Sequence, residues 1–309
     1  MRFAQRLLLC WLLLAPAIAL GLPHIVIVAG GQSHGYGEHE FNAGGEILAR
    51  DLNASGLVRA TLYRDGWPAS GIDEDAAAIV LYMDGDSGHE VNRHLEEVDI
   101  LTGKGVGLVA LHYAVHATEP IGEAYFKRWL GGYYHSETST NPHWRGSFTA
   151  NSDHPAFNGV SDFSVMDEFY FNILFTPQAQ PILVATPPDE ARRHVPHPRR
   201  TLGLFGGTVP EEVASNKGRE ETIAWGVERA DGGRGFGFTG GHYHWNWGND
   251  DYRRFVLNAL LWAARVAVPA PGVTPIPLGL EDLMTGQDEE PGWGFDEAEV
   301  RRVFGFPES

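Results

Sequence analysis

The chain has 309 residues, and 40 acidic residues against 23 lysines and arginines give it a net charge of −17 at pH 7. An acidic excess of this size argues against a nucleic-acid partner and against binding to acidic lipid surfaces. Cys10 is the only cysteine and lies in an N-terminal apolar segment, so disulfides, cysteine nucleophiles and thiolate metal sites are excluded from the rest of the chain.

The N-terminus is typical of a secretory signal peptide. Two arginines precede an apolar run over residues 7–20, and residues 17–19 supply the small side chains of a cleavage site. The run is too short for a membrane-spanning helix, which needs about 20 apolar residues, and Pro16 interrupts it. We therefore expect residues 1–19 to be removed and the mature protein to be periplasmic or secreted, with no membrane attachment.

Short continuous apolar runs predict the strands of a parallel sheet. Residues 24–29, 77–83 and 106–111 form such runs, which are typical of strands buried on both faces. Residues 43–53 and 88–101 carry apolar side chains at helical spacing, so helices follow the first two strands. This alternation predicts βαβ units and an α/β fold on a mainly parallel sheet.

The C-terminal half has a more irregular pattern. Further strands are predicted over residues 59–63, at an edge of the sheet, and over residues 181–185, 203–207, 222–227 and 235–239. The last three are rich in glycine and aromatic residues, which favours antiparallel or irregular additions. Residues 252–266 predict an amphipathic helix, and the prolines that follow end a domain that we place at residues 23–268. We expect residues 269–309 to be a proline-rich, acidic and solvated tail with one short helix over residues 296–304.

Histidines gather in the loops where a parallel sheet binds its ligands, beyond the carboxyl ends of the strands. Four such loops carry Ser33, His34, His39 and Glu40; Asp84, Asp86 and His89; His112, Tyr113 and His116; and His242, Tyr243 and His244. His112 comes directly after a strand, at the strand-to-helix turn where folds of this kind often carry a nucleophile. A histidine there is suited to be a general base, a metal ligand or a hydrogen-bond donor to a sugar.

The last of these loops has two interpretations. His242 and His244 are two residues apart, so on an extended chain they point the same way and are candidate metal co-ligands. Tyr243, Trp245 and Trp247 are equally suited to a wall on which sugars stack.

Several familiar site patterns are missing from the sequence. Residues 30–35 do not follow the G-x-G-x-x-G order of a dinucleotide-binding loop, and neither a G-x-S-x-G elbow nor an HExxH or EF-hand pattern is present. No nucleotide cofactor is therefore expected. Arg234 lies in a glycine-rich turn and is a candidate for holding an anionic or polyhydroxyl ligand.

Six segments in order resemble the ThuA-like (trehalose utilisation) family, which is related to class I glutamine amidotransferases. They are SHGYGEHEFNAGG at 33–45, KGVGLVALHYAV at 104–115, NPHW at 141–144, HPAFNGV at 154–160, DEFY at 167–170 and ADGGRGFGFTGGHYHWNW at 230–247. The resemblance extends over residues 23–269 and implies a flavodoxin-like, three-layer sandwich with a mainly parallel sheet. In the amidotransferase relatives a cysteine occupies the turn where this chain has His112, so a glutaminase activity is not implied.

The resemblance also implies an activity. Family members are associated with the use of disaccharides in which a sugar is first oxidised to a 3-keto form. The implied reaction is cleavage or rearrangement of such a keto-glycoside, with a divalent metal ion as a candidate cofactor. The residues implied as catalytic are His112, Glu40, Asp167 and Glu168, and those implied as metal ligands are His39, His112 and His242. The residues expected to bind the carbohydrate are Ser33, His34, Tyr113, His116, Trp144, Tyr170, Arg234, His244 and Trp245.

One base is enough to start this reaction, because a 3-keto group acidifies the neighbouring C–H bond and so allows elimination of the glycosidic oxygen. We expect His112 or Glu40 to take that proton, and a metal ion or His242 to hold the developing enolate oxygen. The alternative is a non-catalytic carbohydrate-binding domain that stacks sugars on Tyr134, Trp144 and the aromatic residues of 243–247. A third hypothesis, drawn from the acidic tail alone, is an interaction module of a larger assembly.

Overall fold

The computed structural model describes residues 21–193 and 209–308, so the predicted signal peptide and the predicted strand at 203–207 lie outside the described residues. Its strands are β1 His24–Ala29, β2 Arg59–Tyr63, β3 Ala76–Tyr82, β4 Gly107–Leu111, β5 Gly132–Tyr133, β6 Trp144–Phe148, β7 Phe163–Asp167, β8 Leu174–Phe175, β9 Gln180–Ala185, β10 Glu221–Glu228 and β11 Arg234–Phe238. Its α-helices are α1 Phe41–Ala54, α2 Leu95–Gly103, α3 Glu119–Ile121, α4 Lys127–Leu130, α5 Glu211–Ser215, α6 Asp250–Ala263, α7 Leu280–Leu283 and α8 Glu297–Phe304. A π-helical turn covers Gly122–Phe126, and 3₁₀ turns cover Asp86–Gly88, Glu90–Arg93, His112–Val115, Pro155–Phe157, Asp189–Arg192 and His244–Gly248.

Seven strands form the central sheet, in the order β2-β1-β3-β4-β11-β10-β9. The first five are parallel to one another, and β10 runs antiparallel to both β11 and β9. The predicted α/β fold with a mainly parallel sheet and antiparallel additions is confirmed. The chain leaves β1 for β2 on one side and continues to β3 on the other, and such a reversal opens a ligand-binding crevice between the carboxyl ends of the strands.

Side chains of the central strands alternate between two apolar cores, one on each face of the sheet. Ile25 and Ile27 pack with α1 and α6 on one face, while Val26 and Val28 pack with α2 and α4 on the other. Because both faces are covered, the strands read as continuous apolar runs rather than as alternating patterns. Among the described residues, no helix has both the length and the apolar character needed to cross a membrane.

Helix α2 begins later than its apolar spacing predicts. Two 3₁₀ turns occupy residues 86–93, and the α-helix starts only at Leu95. The buried imidazole of His89 accepts the N–H of Val91 at Nδ1 (3.2 Å) and donates from Nε2 to the carbonyl of Ala114 (3.1 Å). These two bonds fix the chain in a tight turn beside the loop after β4.

The C-terminal segment is packed against the domain, so the prediction of a solvated tail is wrong. Leu280 and Leu283 of α7 and Val300 and Val303 of α8 are buried. The members of each pair are three residues apart and therefore lie on one face of their helix. The acidic residues around them dominate the composition and conceal this pattern.

His89 should make stability depend on pH. Burial lowers the pKa of His89 to about 4, although its hydrogen bond to Ala114 opposes that shift. Since the folded pKa lies below the ordinary value of 6.5, the stabilisation is complete above pH 6.5 and is lost as the pH falls towards 4, by about 3 kcal/mol in total. His89→Asn keeps an acceptor for the Val91 N–H and cannot titrate. Urea unfolding at pH 7.5 and 4.5 should therefore show a smaller pH dependence in the variant, and equal slopes would contradict this account.

Candidate functional site

Four side chains from separate parts of the chain meet at the carboxyl end of the central sheet. His39 ends the loop after β1, His112 directly follows β4, Glu168 directly follows β7, and His242 lies in the loop after β11. All four are buried, and one nitrogen or oxygen of each lies within 4.8 Å of those of the others. We call these residues the His₃Glu cluster.

The donor atoms of the His₃Glu cluster lie at hydrogen-bonding distances from one another. The Nε2 atom of His112 is 3.0 Å from Nε2 of His39, 3.3 Å from Nδ1 of His242 and 3.4 Å from Oε2 of Glu168. That carboxylate oxygen is in turn 3.2 Å from Nδ1 of His242. The hydroxyl of Tyr170 completes the surroundings, at 3.2 Å from His112 Nε2.

The outer nitrogens of two imidazoles fix where their protons are. Nδ1 of His112 lies 2.9 Å from the carbonyl oxygen of Thr239, which can only accept, so this nitrogen carries the proton. Nδ1 of His39 lies 3.1 Å from a carboxylate oxygen of Asp84 and is a donor for the same reason. Both Nε2 atoms are then lone pairs when the rings are neutral, and they face each other at 3.0 Å. Two facing lone pairs repel unless a positive charge lies between them.

The pKa shifts within the cluster differ from residue to residue. Burial lowers the pKa of His39 well below its usual value, and the charges of His112 and His242 lower it further, so this ring is held neutral. Burial alone would raise the pKa of Glu168, but His242 and hydrogen bonds from the neighbouring histidines hold it well below its usual value. Glu168 and Glu38 outweigh the burial of His242 and raise its pKa to about 10. The proton of the cluster is therefore favoured on His242, paired with the carboxylate of Glu168.

The same donor set fits a divalent transition metal. Three imidazole nitrogens and one carboxylate oxygen are ligands of Zn²⁺, Mn²⁺ and Fe²⁺. Donors bound to zinc at about 2.0–2.1 Å lie about 3.3 Å apart in a tetrahedron, which matches the separations of 3.0–3.4 Å from His112 Nε2 to the other three donors. The outer nitrogens of two of the rings also hydrogen-bond to acceptors, as is usual for metal-bound histidines. These acceptors are Asp84 for His39 and Thr239 for His112, while the outer nitrogen of His242 lies 3.8 Å from Glu38, beyond hydrogen-bonding distance.

Two of the ligand candidates sit on an unusual backbone. His39 has φ 51° and His112 has φ 54°, both in the left-handed region that side chains disfavour by about 1 kcal/mol. At His112 this corner comes directly after β4 and turns the imidazole towards the sheet edge. At His39 the N–H donates to the carbonyl of His242 (2.9 Å), so the two loops hold each other. Such backbone strain is common at functional sites.

Glu168 is oriented by two residues that the sequence analysis missed. The amide of Asn141 donates to its Oε1 atom (2.9 Å), and Nε2 of His143 lies 3.4 Å from the same oxygen. Nδ1 of His143 is 2.8 Å from the hydroxyl of Tyr243. These contacts leave Oε2 of Glu168 for the cluster. The NPHW motif contains both residues, but the prediction drawn from it named Trp144.

Asp167, predicted to be catalytic, is not one of the four residues of the His₃Glu cluster. It is fully buried and accepts the N–H groups of Gly241 (2.8 Å) and His242 (3.1 Å) and the hydroxyl of Tyr252 (2.8 Å). Its oxygens are therefore occupied by α6 and by the loop after β11. These bonds fix the backbone at His242.

Glu40 is also placed differently from the prediction. It accepts the N–H groups of Gly37 (3.2 Å) and Asp288 (2.7 Å), and so it faces the C-terminal segment rather than the His₃Glu cluster. Burial raises the pKa of Glu40 to about 7, against the effect of these two hydrogen bonds. Glu38 is the acidic residue of this loop that lies near His242. The left-handed backbone at His39 separates the directions of its two neighbours.

A cavity of about 210 Å³ opens beside the cluster. It is lined by His34, His39, Tyr113, His116, Tyr134, Asn141, Glu168 and Tyr170. Of the predicted carbohydrate-binding residues, His34, Tyr113, His116 and Tyr170 thus lie on its wall. Ser33 lies next to it, with its hydroxyl donating to Asp84 (2.9 Å) and lying 2.8 Å from Nδ1 of His34.

The other predicted carbohydrate-binding residues are not at the cavity. Trp144 is buried and donates its indole N–H to the carbonyl of Phe169. Trp245 is buried against Tyr36. Together with buried Tyr243 and Trp247, these side chains form core rather than a stacking wall, so that prediction is wrong.

His244 and Arg234 also lie away from the site, in each case because of the element that the residue begins. His244 begins a 3₁₀ turn, so the extended geometry that would pair it with His242 is absent, and it is not part of the His₃Glu cluster. Arg234 is the first residue of β11 and binds Glu228 and the carbonyl of Trp262. It therefore lies at the opposite edge of the sheet from the site.

Comparisons with known proteins give a family and a fold. The family model described as ThuA, trehalose utilisation, matches residues 53–263. A putative ThuA-like protein from Parabacteroides merdae ATCC 43184 has a similar structure, with a TM-score of 0.51 and 17% identity over 85% of this chain and 99% of that chain. A putative ThuA-like protein from Bacteroides uniformis ATCC 8492 gives a TM-score of 0.54 and 14% identity over 81% and 95% of the two chains. At these identities the structures show a shared fold. No curated protein matches the chain.

The metal-binding capacity of the cluster can be measured directly. His112→Gln should lower the affinity for Zn²⁺ or Mn²⁺ by more than about 100-fold, since losing even an outer-shell partner of a metal ligand costs 10–100-fold. His94→Gln is the matched control. This half-buried histidine stacks on Trp67 and belongs neither to the cluster nor to the cavity wall. Calorimetric titration of the metal-stripped proteins gives both affinities. Unchanged binding in His112→Gln would contradict the assignment.

Proposed function

We propose that this chain, which belongs to the ThuA (trehalose utilisation) family, is a metal-dependent enzyme that cleaves or rearranges an oxidised, 3-keto glycoside. The observation that supports this most is the convergence of three imidazole nitrogens and one carboxylate oxygen beside a cavity. A volume of about 210 Å³ is below the usual range for drug-sized ligands, and it suits a single sugar unit. We also propose that the protein works in the periplasm or outside the cell, following the signal sequence at residues 1–19.

The residues of the cluster and a bound cation would have different roles in the reaction. His39, His112, Glu168 and His242 would hold the ion, and a divalent ion there would polarise the ketone oxygen of the sugar. Tyr113, His116 and Asn141 offer polar groups on the cavity wall for the sugar hydroxyls.

His34 is the base that the geometry supports, in place of His112 and Glu40. The hydroxyl of Ser33 donates to Asp84, so its oxygen accepts the Nδ1 proton of His34 and leaves Nε2 as a lone pair. Burial and nearby His242 lower the pKa of His34, which keeps the ring neutral at pH 7. His34 also lines the cavity. Asp84 thereby orients both His34 and His39.

The reaction balances with this single base. Nε2 of His34 takes the proton from the carbon between the ketone and the glycosidic carbon. The electrons of that C–H bond form a carbon–carbon double bond as the glycosidic C–O bond breaks. The imidazolium then returns its proton to the departing oxygen, and hydration of the double bond would complete hydrolysis.

The substrate class is tested with 3-keto-trehalose and trehalose. We expect consumption of the keto sugar alone, loss of activity with EDTA, and recovery on adding Mn²⁺ or Zn²⁺, because only the keto group makes the neighbouring proton acidic. Product analysis by mass spectrometry checks this. Failure to consume either sugar with any divalent metal would refute the proposed function.

His34→Gln separates the base from the metal ligands. Loss of a general base should lower kcat by about 10²–10⁴-fold, while the affinity for the metal stays close to that of the wild type. His116→Gln is the matched control on the same wall. The imidazole of His116 lies 2.9 Å from the hydroxyl of Ser136 and does not contact Ser33 or Asp84. The substitution should therefore change mainly KM. Equal losses of kcat in both variants would argue against His34 as the base.

A further inference from the structure

The C-terminal residues 279–306, which we call the strap, contact the two loops that carry His39 and His242. Helix α7 packs against the 3₁₀ turn His244–Gly248, and α8 packs against the same turn and against β7, which leads into Glu168. The strap and the loop of residues 31–40 both lie outside residues 53–263, which the family model matches. The matched segment therefore contains only three of the four cluster residues.

Hydrogen bonds join the strap to residues on both sides of His39. The side chain of Gln287 accepts the N–H of Gly37 (2.7 Å), and the N–H of Asp288 donates to Oε2 of Glu40 (2.7 Å). The carboxylate of Asp288 also accepts the amide of Asn42 at the start of α1 (3.2 Å).

An aromatic contact and a further hydrogen bond extend this junction. The ring of Phe295 in the strap lies 4.9 Å from that of Tyr36 and 6.0 Å from that of Trp245. The hydroxyl of Tyr36 donates to the carbonyl of Met284 (3.3 Å). Phe295 therefore joins one residue from the loop of His39 to one from the turn after His242.

The loop of residues 31–40 needs such restraint. His34, Gly37 and His39 all have φ between 51° and 83°, a region in which only glycine is comfortable. At Gly37 a β-carbon would come within 2.4 Å of Trp245, so the loop can approach the turn only because this residue is glycine. A loop of this conformation would relax if its outer contacts were lost, because loops lie at the low-stability end of a fold.

We infer that the strap is part of the functional site, as a positioning element that holds His39 in the His₃Glu cluster and His34 in the cavity wall. The inference rests on the proposed function only for its effect on catalysis. Displacing the strap removes the outer contacts of the loop of residues 31–40 and loosens it, and with it one of the four donors. Glu40 is buried and takes no part in the cluster. Its role is then to accept a hydrogen bond from the strap.

The test uses Phe295→Ala in the full-length protein, with Arg302→Ala as the matched control. Arg302 is an exposed residue of the strap and pairs with Glu299 of the same helix. Hydrogen exchange followed by mass spectrometry should show faster exchange of the amides of residues 31–40 in Phe295→Ala, with strands β3 and β4 unchanged. Affinity for Mn²⁺ or Zn²⁺ should fall by about 10–100-fold, as for other outer-shell losses, and the control should match the wild type.

A second variant tests the same junction with a smaller change. If Phe295→Ala does not fold, Gln287→Ala removes a single acceptor from Gly37 and should give the same changes at a smaller size. Unchanged exchange over residues 31–40 in a folded variant would overturn the inference. If the wild-type protein binds no metal, the proposed function fails, while the exchange experiment still decides the role of the strap.

Discussion

The structure is organised around three imidazole nitrogens and a carboxylate oxygen that face one another in a buried space. The neutral Nε2 lone pairs of His39 and His112 repel at 3.0 Å, so the arrangement favours a positive charge close by, which a proton on His242 supplies and a bound metal ion would supply. The imidazoles of His39 and His112 are held from behind by Asp84 and Thr239, which fix their protons on the outer nitrogens. The surrounding loops, hydrogen bonds and strained torsions all serve to keep these donors aimed inward.

Sheet order explains how such distant residues meet. The carboxyl ends of β1, β4 and β11 lie along one edge, so the loops that follow them converge without any special path of the chain. Glu168 comes from outside the sheet, from the ribbon of β6 and β7, and is aimed by Asn141. Asp167, its neighbour, faces the other way and gathers the backbone of residues 241–243. Two adjacent acids thus have separate tasks, one towards the cluster and one towards the loop that carries His242.

The sequence predicts features that depend on neighbouring residues better than features that depend on tertiary contacts. Apolar runs predict the buried strands, and the strand-end rule places His39, His112 and His242 at one edge. Arg234 was predicted against this rule, since it begins its strand rather than following it, and it lies at the opposite edge. No local pattern shows that His39 has a positive φ, and this torsion decides that Glu38 rather than Glu40 approaches His242. Asn141 and His143 depend on a tertiary contact of the β6–β7 ribbon, which the sequence cannot show without a partner to pair with. The helix over residues 296–304 was predicted and corresponds to α8, but the packing of the strap was missed because its apolar residues are few and stand among acids.

The corner at His112 bears on how the chemistry of such a fold changes over evolution. A left-handed residue directly after a buried strand lifts one side chain above the sheet edge, whatever that side chain is. In the amidotransferase relatives the resemblance indicates a cysteine at this turn, whereas here an imidazole occupies it, steadied by the carbonyl of Thr239. The scaffold and the reagent are therefore separable. The same corner would present a side chain of different chemistry at the same place, and the reactivity of the site would then depend on the neighbours that this side chain meets.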